Sequence, residues 1–163
     1  METEIRYVGI DPSGHTGVVI VSATGHVIHQ AEIKPNSKED PQRMCEIVDI
    51  LASLLLPTDV VAIEGFGYHS QQAIFMGGIG WAIRMMLHRK GISYQELSPS
   101  ALKQFAGAPG NGSKEQAAVS IYKTWGFEHP NNNVLDAYVL ARFAQRDRAI
   151  TLNNKKKSKV KAS

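Results

Sequence analysis

Ile5-Arg6-Tyr7-Val8-Gly9-Ile10-Asp11 is an apolar, β-branched run that ends on a carboxylate, and Asp11-Pro12-Ser13-Gly14 follows it with residues that favour a turn. The segment therefore reads as a strand that delivers an acid to its own C-terminal end. Thr16 to Ala23 is a second β-branched run, Thr24-Gly25 is a tight-turn pair, and His26 to Ile33 alternates as a third strand. These predict an antiparallel three-stranded meander at the start of the fold.

Beyond the meander and a polar loop over Lys34 to Lys38, Glu39 to Leu55 carries apolar residues at helical spacing, and Asp59 to Glu64 is a short strand of the buried type. Gly65-Phe66-Gly67 leads to a long helix over roughly Ser70 to Lys90, stopped by Gly91. Ile92 to Leu97 reads as a fifth strand. Ser98-Pro99 opens a helix to about Ala106 with Pro at its first position, and a Gly-rich loop spans Gly107 to Gly112. Ser113 with Gln116 forms a capping-box pattern for a helix to Trp125, and Asn132 or Asn133 is placed to cap a last helix to about Arg148. Three antiparallel strands followed by two strands with helical crossovers predict an α/β fold, a mixed five-stranded sheet flanked by helices.

The 163 residues suit one domain, expected over 1–150, with a tail over 151–163. Apolar residues at 43% and charged residues at 20% are ordinary for a globular chain. The longest apolar runs, such as Ile50 to Leu56, are far short of a bilayer span, and Met1-Glu2-Thr3-Glu4 lacks the basic and apolar regions of a signal peptide. With the lone Cys45 these imply a cytoplasmic protein without a membrane partner. The net charge of +3 conceals a division: all 15 acids precede residue 150, against 13 Lys and Arg there, whereas Lys155, Lys156, Lys157, Lys159 and Lys161 follow. The body is mildly acidic, so DNA contact must come from local patches and from a tail expected to be disordered.

Asp11 and Glu64 both end strands, and Asp136 lies in the first turns of the last helix inside Val134-Leu135-Asp136-Ala137-Tyr138-Val139-Leu140. Each acid alone has a plainer explanation: a turn former, a solvated strand end, a partner of the helix dipole. Together they point elsewhere. If the first and fourth strands are parallel neighbours, their ends bring Asp11 and Glu64 together, and a helix across that edge adds Asp136. Carboxylates crowded at a buried edge repel, and hard divalent cations such as Mg²⁺ or Mn²⁺ relieve that repulsion. The six histidines show no metal-ligand spacing, and Gly107 to Lys114 lacks the order of a P-loop.

The ordered set of segments resembles the RuvC Holliday junction resolvases of the RNase H-like superfamily, and among them a phage-type relative. Val8-Gly9-Ile10-Asp11-Pro12-Ser13 with Thr16-Gly17 is similar to the opening strand and turn of that family, and Ala62-Ile63-Glu64 to its second acidic strand. Ser98-Pro99-Ser100-Ala101-Leu102-Lys103, then Gly107 and Gly110-Asn111-Gly112-Ser113-Lys114, resembles its Pro-x-x-Lys and Gly-x-Gly segments, and Leu135-Asp136-Ala137-Tyr138 its terminal helix motif. The resemblance implies an RNase H-like fold and a structure-selective endonuclease for branched DNA. It also implies catalytic and metal-binding roles for Asp11, Glu64 and Asp136, with two Mg²⁺ ions (Mn²⁺ in substitution) and Asp11 between them. The family often carries a further acid three residues before the last; here that position is Asn133, a possible neutral ligand. Lys103 and Lys114 would contact phosphate, and Phe66 and Tyr68 flank the position of an aromatic wedge that some relatives insert into the junction.

Arg84, His88, Arg89 and Lys90 make a basic helix end that can touch DNA, although cations there also suit the helix dipole. Two other activities fit parts of the pattern: an RNase H-like nuclease acting on RNA or flaps, and a branched-DNA binder that lost cleavage through Asn133. Resolving a two-fold junction needs two matched nicks, so a homodimer is expected. The long helix, with Ile74, Phe75, Met76, Ile79, Trp81, Ile83, Met85, Met86 and Leu87, carries more apolar surface than one stripe requires.

Overall fold

The computed structural model describes residues 3–67 and 71–161, with side chains as far as residue 148. Strands β1 (Tyr7–Asp11), β2 (Gly17–Val21) and β3 (Val27–Glu32) form the expected antiparallel meander. Helix α1 (Gln42–Leu54) crosses to β4 (Val60–Glu64), which pairs parallel with β1, and α2 (Ala73–Arg89) crosses to β5 (Tyr94–Leu97), parallel with β4. The sheet order is β3-β2-β1-β4-β5. Helices α3 (Pro99–Phe105), α4 (Lys114–Trp125) and α5 (Asn132–Lys161) follow. The fold class read from the sequence is the one observed.

Period-two alternation divides the sheet between two cores. Val8, Ile10, Val18, Ile20, Val61 and Ile63 pack toward α1 and α2, against Ile47, Leu51, Ile79, Ile83 and Leu87. Tyr7, Val19, Val21 and Ala62 face the other way, against Val134, Ala137, Tyr138 and Ala141 of α5. Arg6 and the buried Asp59 fasten the starts of β1 and β4: Nε donates to Oδ1 at 2.8 Å and Nη2 to Oδ2 at 2.6 Å, while Nη2 also reaches the Leu54 carbonyl at 2.9 Å. This forked pair fixes the register at one end of the two strands that carry acids at the other.

Local signals set the starts of α3 and α4. The Ser98 hydroxyl accepts from Ala101 N–H with Pro99 following, and the Ser113–Gln116 capping box is complete. Helix α2 begins at Ala73 rather than Ser70. The cap of α5 is a correction: Asn131, not Asn132 or Asn133, accepts from Val134 N–H through Oδ1 at 3.2 Å. The bounds of α5 carry helix into the lysine-rich stretch read from sequence as a disordered tail, and the side chains of that stretch lie outside the described residues.

Helix α5 lies directly on β1 and β2 because two glycines leave room for it. A Cβ on Gly9 would overlap the Ala137 carbonyl, and one on Gly17 the Asn133 carbonyl. Both obstacles are backbone, so neither can swing aside. Gly9→Ala and Gly17→Ala should therefore each destabilise the protein by about 3 kcal/mol, the upper part of the usual overpacking cost, measured by urea unfolding. A loss under about 1 kcal/mol at both sites would contradict so close an approach of α5.

Candidate active site

The alternation that builds the cores also aims the acids. Asp11 and Glu64 fall on the α5 side of β1 and β4, one position beyond the paired Ile10 and Ile63. Asp136 stands on α5 one residue before Ala137, whose carbonyl caps Gly9. Oxygens of the three carboxylates lie within 4.8 Å of one another. Asp11 is buried, and Glu64 and Asp136 are half-buried.

Such crowding is costly without protons or a cation. Burial, then the charges of Glu64 and Asp136 and a hydrogen bond with Glu64, hold the Asp11 carboxyl well above the usual carboxylate range. Burial raises Glu64 as well, opposed by its hydrogen bond with Asp11 and the charge of Lys103. Burial and the neighbouring Glu64 push Asp136 up to about 7, against the pull of Lys114 and Lys103. Three hard oxygen donors that resist losing their protons together, yet sit within reach of one ion, form a donor set suited to a hard divalent cation.

Lys103 and Lys114 stand beside this cluster, lining with Glu64 and Asp136 a cavity of about 200 Å³. The half-buried Lys103 donates from Nζ to the Gly112 carbonyl at 2.9 Å, so it also closes the Gly-rich loop against α3; Lys114 is exposed at the start of α4. Asn133 turns another way. Its Nδ2 donates to the His15 carbonyl at 2.9 Å, tying α5 to the β1–β2 turn, and its side chain borders a separate groove with Ser13, His15 and Lys38.

The other candidates separate. Phe66 is half-buried, with its ring 5.4 Å from Trp81 and 4.1 Å from the Arg84 guanidinium. Tyr68 lies outside the described residues. Arg89 is exposed and Lys90 half-buried at the end of α2, where Arg89 borders an open cavity of about 820 Å³ that contains none of the three carboxylates. Arg84 is a correction: at 2% exposure it is buried, paired through Nε with Glu96 Oε1 at 2.7 Å, and cannot face DNA. Its spacing from Arg89 and Lys90 suggested a basic helix end, but it projects from the face of α2 that carries Gly80, Ile83 and Leu87 against the sheet. Sequence reasoning also missed Glu32, whose carboxylate takes His15 at 3.0 Å and the side chain of Asn131, joining the β1–β2 turn to the α5 cap. Its only signal was an acid at the end of the third strand.

A family model described as crossover junction endodeoxyribonuclease RuvC matches residues 7–141. A crossover junction endodeoxyribonuclease RuvC of Chloroherpeton thalassium is 32% identical over 124 residues, 71% of this chain and 67% of that protein. One from Chloroflexus aggregans is 27% identical over 131 residues, 75% and 80% of the two chains. Among solved structures, Thermus thermophilus RuvC superposes with a TM-score of 0.69 at 19% identity, covering 91% of this chain and 96% of that one. T. thermophilus RuvC in complex with Holliday junction substrate superposes with a TM-score of 0.67 at 22% identity, covering 83% and 90%. The two structures establish a shared fold.

The crowded carboxylates make stability depend on pH with a definite sign. Their folded values lie above their unfolded ones, so the folded protein binds more protons across that window and loses stability as pH rises through it. For Asp136 the window runs from its ordinary 3.8 to about 7. With divalent metal chelated, Asp136→Asn should raise stability at pH 8 by on the order of 1–3 kcal/mol, at about 1.4 kcal/mol per pKa unit, and flatten the slope below. Urea titrations from pH 4 to 8 check this; an unchanged slope in the variant would contradict the assigned crowding.

Proposed function

The chain belongs to the RuvC family of crossover junction endodeoxyribonucleases, and on that footing we propose that it resolves four-way DNA junctions in the cytoplasm by paired, metal-dependent phosphodiester hydrolysis. The observation that carries this reading is the convergence of Asp11, Glu64 and Asp136 within 4.8 Å at one edge of the sheet. In this reading the carboxylates of Asp11, Glu64 and Asp136 would hold two Mg²⁺ ions, or Mn²⁺ in their place. When bound, the ions supply an activated water and stabilise charge on the leaving 3′ oxygen. Asn133 contributes by tying the α5 turn that carries Asp136 to the loop after Asp11.

Lys103 and Lys114 bring positive charge to the cavity beside the carboxylates, where a scissile phosphate would enter. The backbone N–H groups at the start of α4 reinforce Lys114. Arg89 and Lys90 serve an outer DNA arm, and Phe66, two residues beyond the acidic strand end, meets the bases near the crossover.

Two matched nicks call for two sites, and α2 supplies a surface for a second copy of the chain. Ile79, Ile83 and Leu87 face the core, while Ile74, Trp81 and Met85 are 94%, 57% and 51% exposed. With the exposed His88, and with Gly77, where a Cβ would meet nothing within 4 Å, these three lie on one face of the helix, as a helix–helix seam requires.

Asp11→Asn should abolish Mg²⁺-dependent cleavage of synthetic four-way junctions while leaving junction affinity nearly unchanged, because phosphate contacts carry most of it. Normal turnover in that variant, read on denaturing gels, would sink the metal assignment. In a second test, Trp81→Glu combined with Met85→Glu should convert a sedimenting dimer to a folded monomer whose nicks on the two junction strands are no longer paired. A variant that stays dimeric would move the interface off α2.

A further inference from the structure

Arg84 has no part in the chemistry described so far, yet it is among the largest fully buried side chains. Its guanidinium is engaged on every side. Nη1 donates to the Gly80 carbonyl at 2.9 Å, Nη2 to the Glu64 carbonyl at 3.3 Å and Nε to Glu96 at 2.7 Å, and its carbon lies 4.1 Å over the Phe66 ring. Gly80 makes the arrangement possible, since a Cβ there would collide with the Phe66 ring edge and crowd Arg84 Nη1. A cavity of about 110 Å³ bordered by Asp11, Glu64, Phe66 and Arg84 puts this assembly next to the carboxylates.

Glu64 is the last residue of β4, and its neighbour Gly65 has one more tie to the sheet, Gly65 N–H to the Leu97 carbonyl at 2.8 Å. The chain beyond is Gly65-Phe66-Gly67, with little intrinsic stiffness. The Glu64 carboxylate meets Asp11 and Lys103, but the backbone that aims it is set by what holds its carbonyl and the ring two residues on. Arg84 holds both.

We propose that Arg84 is a positioning residue for the cleavage site, a buried clamp that fixes the Glu64–Phe66 turn and so sets Glu64 for metal and Phe66 for DNA. This rests on the reading of Glu64 as a metal-holding carboxylate. A planar guanidinium is the group that fits: it donates in three directions while stacking on an aromatic ring, which an ammonium cannot do. Glu96, whose side chain is 48% exposed, keeps access to water if Arg84 is replaced, so the loss of its partner is tolerable.

The test compares Arg84→Lys and Arg84→Met with the wild type for unfolding, Mn²⁺ binding by calorimetry, junction affinity, and kcat against Mg²⁺ concentration. Removing an outer-shell partner of a metal ligand typically costs about 10–100-fold in metal affinity or activity. Folded Arg84→Lys should accordingly bind Mn²⁺ about 10-fold more weakly and need correspondingly more Mg²⁺ for half-maximal cleavage. Arg84→Met should do so more severely, with junction affinity within about threefold of wild type, since phosphate contacts are intact. Variants that lose stability but keep wild-type Mn²⁺ affinity and Mg²⁺ midpoint would overturn the proposal and leave Arg84 a packing residue. If Arg84→Met does not fold, unchanged metal binding in Arg84→Lys overturns it equally. A wild type that binds Mn²⁺ but cuts no junction would refute the proposed function instead, and the Mn²⁺ titrations would still decide the role of Arg84.

Discussion

The structure depends on the contact of α5 with the bare backbone of β1 and β2. A helix normally packs on a sheet through a layer of side chains, but at Gly9 and Gly17 that layer is missing and the Ala137 and Asn133 carbonyls take its place. The sheet positions on either side of Gly9 on this face are Tyr7 and Asp11, so the helix settles between an aromatic core residue and an acid. Because Asp136 adjoins Ala137, lowering the helix onto Gly9 also lowers a carboxylate onto the end of β1. The acids converge through backbone sterics, against their own repulsion.

That repulsion measures what the fold gives up. Burial raises all three carboxyls, and Glu64 and Asp136 add their charges against Asp11. A chain optimised for stability alone would replace one of them with an amide or an apolar group. Lys103 and Lys114 oppose the crowding only in part, and Lys103 also secures the Gly112 carbonyl, so its position is fixed by the loop it closes. A bound divalent cation would offset the remainder, which makes the cluster's instability and its affinity for metal two expressions of one arrangement.

The sheet was legible because apolar runs in β1, β2 and β4, the alternation of β3 and the turn residues between them state it locally. Val8, Gly9, Ile10 and Asp11 already alternate between two faces, and Ala62, Ile63 and Glu64 repeat the pattern. The capping box at Ser113 was legible for the same reason, since its partners lie three residues apart. What escaped was set by distant chain. Asn131 rather than its two neighbours caps α5, because the side chain of Asn131 also joins Glu32, 99 residues away in sequence. Asn133 lies one helical turn before Asp136, yet its amide is drawn to the His15 carbonyl, a partner that no local pattern names. Arg84 read as surface because Arg89 and Lys90 follow it; a helix buries one face and exposes another, and which arginine falls on which depends on rotation against the sheet.

Helix α2 gathers the remaining consequences of that rotation. Its inner face sends Arg84 to the Glu64 carbonyl and the Phe66 ring, and its outer stripe carries Ile74, Trp81 and Met85. The two faces meet at one pair of rings, for Phe66 lies 5.4 Å from Trp81. A second copy seated on the outer stripe would cover Trp81 and press on the ring that Arg84 holds from the other side. Pairing and alignment of the acidic strand end would then act through the same few side chains.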